Sequence, residues 1–216
     1  MIQDNIERIR SNIFEAAIRA GRKPEEIQLC AVTKMVDSKT AQEVLDAGVD
    51  ILGENRVQSL LEKYEAIGNK AQWHLIGHLQ TNKVKYIIDK VSLIHSVDSV
   101  HLAEEINRRA QMAGKVIDIL VEVNVSGEAS KFGVAPGNLE PMLENLALFS
   151  NIRLRGLMTI APKQEKVGAN RKYFSKLHEL FVDIRSKKYD NSNIDTLSMG
   201  MSGDYVEAVE EGATIV

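Results

Sequence analysis

The 216-residue sequence predicts a single α/β domain, a (β/α)8 barrel of the TIM type, and three observations carry that expectation. Strand-like and helix-like segments alternate along the whole chain. The strand-like segments are apolar runs suited to burial on both faces, as in a parallel sheet joined by helices. There are eight of them, in a length that suits one closed barrel. A doubly wound open sheet is the runner-up; the absence of a glycine-rich fingerprint after the first strand weakens it.

The chain opens on a helix, with Ile2, Ile6, Ile9, Ile13, Phe14, Ala17 and Ile18 at helical spacing, closed by Gly21 and the turn residue Pro24. A first strand is expected over 28–33. A helix follows over 38–47, capped by Ser38 and ended by Gly48, and then a short strand over 49–52. The alternation continues with helix 57–67, strand 72–76, helix 82–88, strand 92–96 and helix 100–113, which Gly114 ends. A β-rich run covers 116–125. Helix 139–149, strand 153–160, a long helix 164–186, strand 195–197, helix 202–210 and a last strand over 213–216 complete the series.

With 44% hydrophobic and 26% charged residues, the chain has enough apolar material for a core without disulfides or metals. A net charge of −3 disfavours nucleic acid or an anionic membrane as main partner. The lone cysteine, Cys30, falls in the apolar run 27–32 and reads as a strand residue rather than a reactive thiol. The N-terminal helix carries charge throughout, with no apolar signal core, and no spanning segment follows. A cytoplasmic protein is expected.

Barrel chemistry gathers at the carboxyl ends of the strands, so polar residues there are the ones to weigh. The first strand ends in Thr33-Lys34. A lysine desolvated in a barrel mouth gives up its proton more readily, and a neutral amine is what imine formation needs. From position alone, a solvated lysine at a strand end explains Lys34 better. Opposite it, Ser198, Gly200, Met201, Ser202 and Gly203 stand where the seventh strand meets a helix. Glycines admit an anion close to the backbone there, and free N–H groups at a helix start donate to it; an ordinary capped helix with Ser202 at the N-cap is the bland alternative. A reactive lysine facing a phosphate cradle fits a small aldehyde phosphate such as pyridoxal 5'-phosphate (PLP). His74 and His78 are separated by Gly77 at a strand end, which does not give helical metal spacing, so no metal is expected. His101 and His178 fall on helices as surface or packing residues. Met158, Met199 and Met201 could line a flat ring, although a core needs no ligand to explain methionine.

The sequence also carries AVTK at 31–34, GENRVQ at 53–58, WHLIGHLQTNK at 73–83, NVS at 124–126 with SKFG at 130–133, RGLM at 155–158 and LSMGMS at 197–202. In these ordered motifs, spread over nearly the whole chain, it resembles the YggS-type pyridoxal phosphate homeostasis proteins, the proline-synthetase co-transcribed family. The resemblance implies a barrel like the N-terminal domain of alanine racemase, the fold-type III PLP class, with PLP held as a Schiff base on Lys34. It places Asn55 and Met158 beside the cofactor ring and Ser198, Gly200, Met201 and Ser202 around its phosphate. Lys131 matches a family lysine connected with cofactor handling. In the family the last strand runs on into an Arg-x-Gly segment and a final helix, and these lie beyond Val216. The expectation is therefore one barrel domain over 1–216 that lacks the closing end of the family domain, with no partner for the pyridine nitrogen among its residues.

Functionally, the resemblance implies a non-catalytic PLP binder of intracellular vitamin B6 homeostasis, a monomer that serves apo PLP enzymes. The alternative is a racemase-like PLP enzyme acting on a small amino acid. Racemases of this fold add a C-terminal β domain and a second base across a dimer, for which 216 residues leave no room. A class I aldolase-like barrel using Lys34 with Glu54 or Glu122 as acid and base is a further alternative.

Overall fold

The computed structural model describes residues 1–164 and 166–216. Seven strands form one sheet in chain order: β1 (Cys30–Val32), β2 (Ile51–Glu54), β3 (Gln72–Leu75), β4 (Leu93–Val97), β5 (Ile117–Glu122), β6 (Ile152–Met158) and β7 (Ser192–Ser198). Every neighbouring pair is parallel, so each connection must cross back over the sheet. The helices that do so are α2 (Ser38–Asp46), α3 (Val57–Ile67), α4 (Val84–Ile87), α5 (Val100–Met112), α6 (Leu139–Leu146) and α7 (Arg171–Ser186). The chain begins with α1 (Ile2–Arg19), and α8 (Tyr205–Glu210) follows β7.

The main core lies between the sheet and its helices, with Trp73, Leu52, Leu60, Ile94, Ile106, Ile119 and Phe174 among its fully buried side chains. A second cluster joins Cys30, Ile51, Leu93, Leu120 and Met158, from β1, β2, β4, β5 and β6, with Ile215. Side chains from strands so far apart in sheet order meet only if the sheet curls on itself, so this cluster is the inner layer of a TIM-like sheet. Burial pushes the Cys30 thiol up to about 12, which fits a structural cysteine.

The strand expected over 213–216 is present only as two isolated parallel bridges, from Ile215 to Gln28 and to Ser198. Among the described residues the eighth is thus not shown as a strand, and the sheet shows seven. Backbone bonds still reach both of its edges: Val216 N–H donates to Gln28 O (3.0 Å), Cys30 N–H to Val216 O (2.8 Å), and Met199 N–H to Ile215 O (3.2 Å).

The cap of α2 and the starts of α7 and α8 differ from expectation for local reasons. The cap of α2 is Asp37 rather than Ser38, its carboxylate accepting the Thr40 N–H at 2.8 Å. Helix α7 begins at Arg171 rather than 164, because Asn170 is buried and donates to Pro162 O and the Asp204 carboxylate; Glu165, within the expected span, lies outside the described residues. Helix α8 begins at Tyr205 rather than 202, because the Asp204 carboxylate accepts the Met201 N–H at 2.6 Å and closes a turn there.

One glycine is required by the sheet itself. At Gly156 (φ +150°) the β6–β7 register shifts, and a Cβ would meet Thr196 O at 1.8 Å.

Candidate cofactor-binding site

A cavity of about 480 Å³ opens at the carboxyl ends of β1, β4, β6 and β7 and runs toward α1. Lys34, Met158, Ser198, Gly200, Met201 and Ser202 all line it, as does His95. The structure therefore brings six of the seven expected residues together. Asn55 is the exception: half-buried after β2, it is packed so closely that a Cβ on Gly77 would meet its carbonyl oxygen at 2.3 Å. Its side-chain Oδ1 is buried without a hydrogen-bond partner.

Lys34 departs from expectation in one respect. Strand β1 ends at Val32, and Lys34 stands exposed in the following turn instead of being desolvated in an apolar run. Its Nζ has no hydrogen-bond or ion-pair partner among the described residues. The preceding residue fixes it in place. Thr33 is buried, its N–H donates to Gly53 O (3.0 Å), and its hydroxyl donates to Glu54 Oε1 (2.6 Å). Lys63 Nζ donates to the Thr33 carbonyl (2.8 Å) and to Glu54 Oε1 (2.6 Å). Glu54, considered above as an acid–base group, is thus the buried partner of a lysine. Lys63 went unnoticed in the sequence, although it interrupts the apolar stripe Leu60, Lys63, Ile67 of α3, all three buried.

Across the cavity, Ser198 ends β7 and Gly200 turns the chain at φ +97°. A Cβ at Gly200 would meet Ala208 Cβ at 2.6 Å, so only glycine lets this loop lie against α8. The N–H groups of Gly200, Ser202 and Gly203 have no protein partner among the described residues. These are turn amides rather than the helix-start amides expected, since α8 begins later. Successive unpaired N–H groups around a glycine form a concavity suited to an anion.

Beneath Ser198 lies a chain of two histidines. His95 Nδ1 is 2.9 Å from Ser198 Oγ, and His95 Nε2 is 2.9 Å from His74 Nδ1. Burial lowers His74 to about 4; burial, and then the neighbouring His74, hold His95 well below the ordinary imidazole range. Both rings are neutral near pH 7. His78 faces elsewhere, paired with Asp98 (3.2 Å) and stacked on Phe132 with centroids 4.0 Å apart. His74 and His78 thus do not converge on one point. His101 is exposed on α5, and His178 on α7 packs against Gly212. Glu122 and Lys131 lie off the cavity; burial, with Asp98 adding, pushes Glu122 up to about 7 against the opposing pull of Lys131.

Residues 5–216 match the family described as alanine racemase, N-terminal domain. A pyridoxal phosphate homeostasis protein of Aquifex aeolicus is 45% identical over 99% of this chain and 93% of its own length. The protein of that name from Escherichia coli strain K12 is 34% identical over 100% and 92%. The chain belongs to the pyridoxal phosphate homeostasis family of alanine racemase N-terminal domains. Among solved structures, PipY of Synechococcus elongatus with PLP bound superposes with a TM-score of 0.86 at 30% identity, covering 100% of this chain and 96% of PipY. An unknown protein from Bifidobacterium adolescentis gives a TM-score of 0.94 at 35% identity, covering 100% of this chain and 91% of that one. Family membership fixes the fold as the parallel curled sheet of that domain. Among the described residues, no helix of this family member is long and apolar enough to cross a membrane.

Proposed function

We propose that this chain is a non-catalytic PLP-binding protein of intracellular PLP homeostasis, with the cofactor held covalently on Lys34 as a Schiff base. The observation that carries the reading is the pairing of an unengaged Lys34 amine with the unpaired amides of the 198–203 loop across one cavity. When bound, PLP supplies an aldehyde that takes up amines and a ring that withdraws electrons. The residues fit that group. Ser198, Gly200 and Ser202 would hold its phosphate by hydroxyl and amide donation, with Met201 lining the cavity beside them, its own N–H engaged by Asp204; Met158 would pack on its ring, and the orphaned Asn55 Oδ1 offers a polar contact on the β2 side. Relatives named for PLP homeostasis, and the PLP-bound PipY, support the same assignment.

Two features favour binding over catalysis. Among the described residues no carboxylate lines the cavity, and its one imidazole, His95, is held between Ser198 Oγ and His74 Nδ1 at 2.9 Å each. A site without a placed second base holds an imine but does not exchange an α-proton efficiently. We read the chain as one barrel domain that acts as a monomer in the cytoplasm, with 213–216 as the start of an eighth strand closing the barrel. Its partners are PLP and apo PLP enzymes. The test is a transfer assay in which PLP-loaded protein is mixed with an apo-enzyme beside a trap for free aldehyde. Activation that persists with the trap supports delivery. Steady amino-acid turnover by the loaded protein, abolished in Lys34→Ala, would instead establish the racemase-like alternative.

A further inference from the structure

Resting on the reading that the Ser198 loop takes a phosphate, we infer that His95 and His74 position Ser198 as a donor, through a relay whose proton order the bound anion selects. The geometry is a single buried file: His74 Nδ1 to His95 Nε2 at 2.9 Å, His95 Nδ1 to Ser198 Oγ at 2.9 Å, and Ser198 on the cavity wall. The two rings are tilted by 49° with centroids 5.0 Å apart, and both side chains are nearly inaccessible, at 4% and 1% exposure. Neither residue was singled out as a cofactor contact in the sequence.

Counting protons shows why the file has two states. A neutral imidazole carries one N–H, so each junction holds one proton. In the first order, the Ser198 hydroxyl donates to His95 Nδ1 and His95 Nε2–H donates to His74 Nδ1. In the second, His74 Nδ1–H donates to His95 Nε2 and His95 Nδ1–H donates to Ser198 Oγ, which frees the hydroxyl proton to point into the cavity. The same number of protons is bound in both orders: to change over, each proton moves one place along the file, one leaving His74 Nε2 as the serine oxygen takes another from the cavity. A deprotonated phosphate oxygen only accepts, and serine has one proton to give, so such an oxygen held by Ser198 is compatible with the second order alone. The site thereby gains a polarised donor without burying a cation, whose desolvation would be costly.

The test is 15N NMR of the imidazole nitrogens in the intact chain, with inorganic phosphate and then PLP as probes. The expected result is that both ligands move His95 and His74 to the form protonated on Nδ1 and bare on Nε2, with each ring neutral. Unchanged tautomers in the loaded protein, or a ring protonated on both nitrogens, would overturn the inference. The visible imine band reports loading separately: with no band on PLP addition the site reading itself fails, whereas a band with unmoved imidazoles sinks only the relay. A second arm avoids the ring spectra. His95→Leu should weaken phosphate and PLP binding several-fold, about the size of one neutral hydrogen bond. His95→Gln, whose amide both donates and accepts, should restore most of it. Equal affinity in wild type and a folded His95→Leu protein, checked by circular dichroism, contradicts the role.

Discussion

Single side chains divide the labour at the cavity. Lys34 Nζ has no hydrogen-bond or ion-pair partner among the described residues, while the residue before it is held by four hydrogen bonds. Ser198 lines the cavity with His95 behind it, and in the proposed site its loss would remove a donor from the anion without opening the core. Ser198→Ala should raise the dissociation constant for PLP about tenfold or more, since a hydrogen bond to a charged group contributes about 1.5–3 kcal/mol; titration followed by the imine absorbance measures it, and unchanged affinity would remove Ser198 from the site. Gly200 is constrained by both conformation and space, with φ at +97° and Ala208 behind it. Its replacement by alanine should therefore weaken PLP binding more than it lowers thermal stability, because the loop that shifts carries the donors and little of the core. The opposite ranking would make this loop a structural element only.

At the level of elements, the sequence already showed the alternation and the strand ends, because parallel strands are apolar throughout and glycines mark several turns. It predicted the 57–67 helix with its observed limits, and Lys34, Met158 and the Ser198 loop met in one cavity as read. What escaped was long-range. The start of α8 depends on the side chain of Asp204, and that of α7 on Asn170 reaching the same carboxylate, contacts that periodicity does not encode. Lys63 is invisible as a partner until β2 and α3 are packed together. The Lys63–Glu54 pair is almost fully buried, at 6% and 0% side-chain exposure, so breaking it strands a charge. Lys63→Met should cost about 3–5 kcal/mol in urea denaturation, with a loss of PLP affinity as Thr33 loosens. A change under about 1 kcal/mol would mean that Glu54 finds another partner once Lys63 is gone.

Over the whole molecule, the buried ionisable groups give a dependence on pH that the fold must bear. His74 binds its proton near 6.5 when unfolded but only near 4 when folded, and His95 is shifted the same way, so both take up protons on unfolding as the pH falls below about 6.5. Glu122 opposes them, since its folded value near 7 against 4.5 unfolded means that it releases a proton on unfolding in the same window. Two groups against one leave a net uptake of about one proton near pH 5.5, or roughly 1.4 kcal/mol of stability lost per pH unit on acidification. Denaturation at several pH values measures that slope. Glu122→Gln should steepen it and His95→Gln should flatten it; a slope unaffected by both would show that these groups do not set the acid limit.

Cys30, Met158 and Ile215 of the inner layer line the same cavity as Lys34, the proposed covalent anchor of the cofactor, and that anchor is the central claim. It is tested by loading the intact chain with PLP, reducing with borohydride, digesting, and locating the phosphopyridoxyl group by mass spectrometry. The account predicts one stoichiometric label on the peptide containing Lys34, with bleaching of the visible band. A label confined to other lysines, or no label on a protein that has turned yellow, would contradict it.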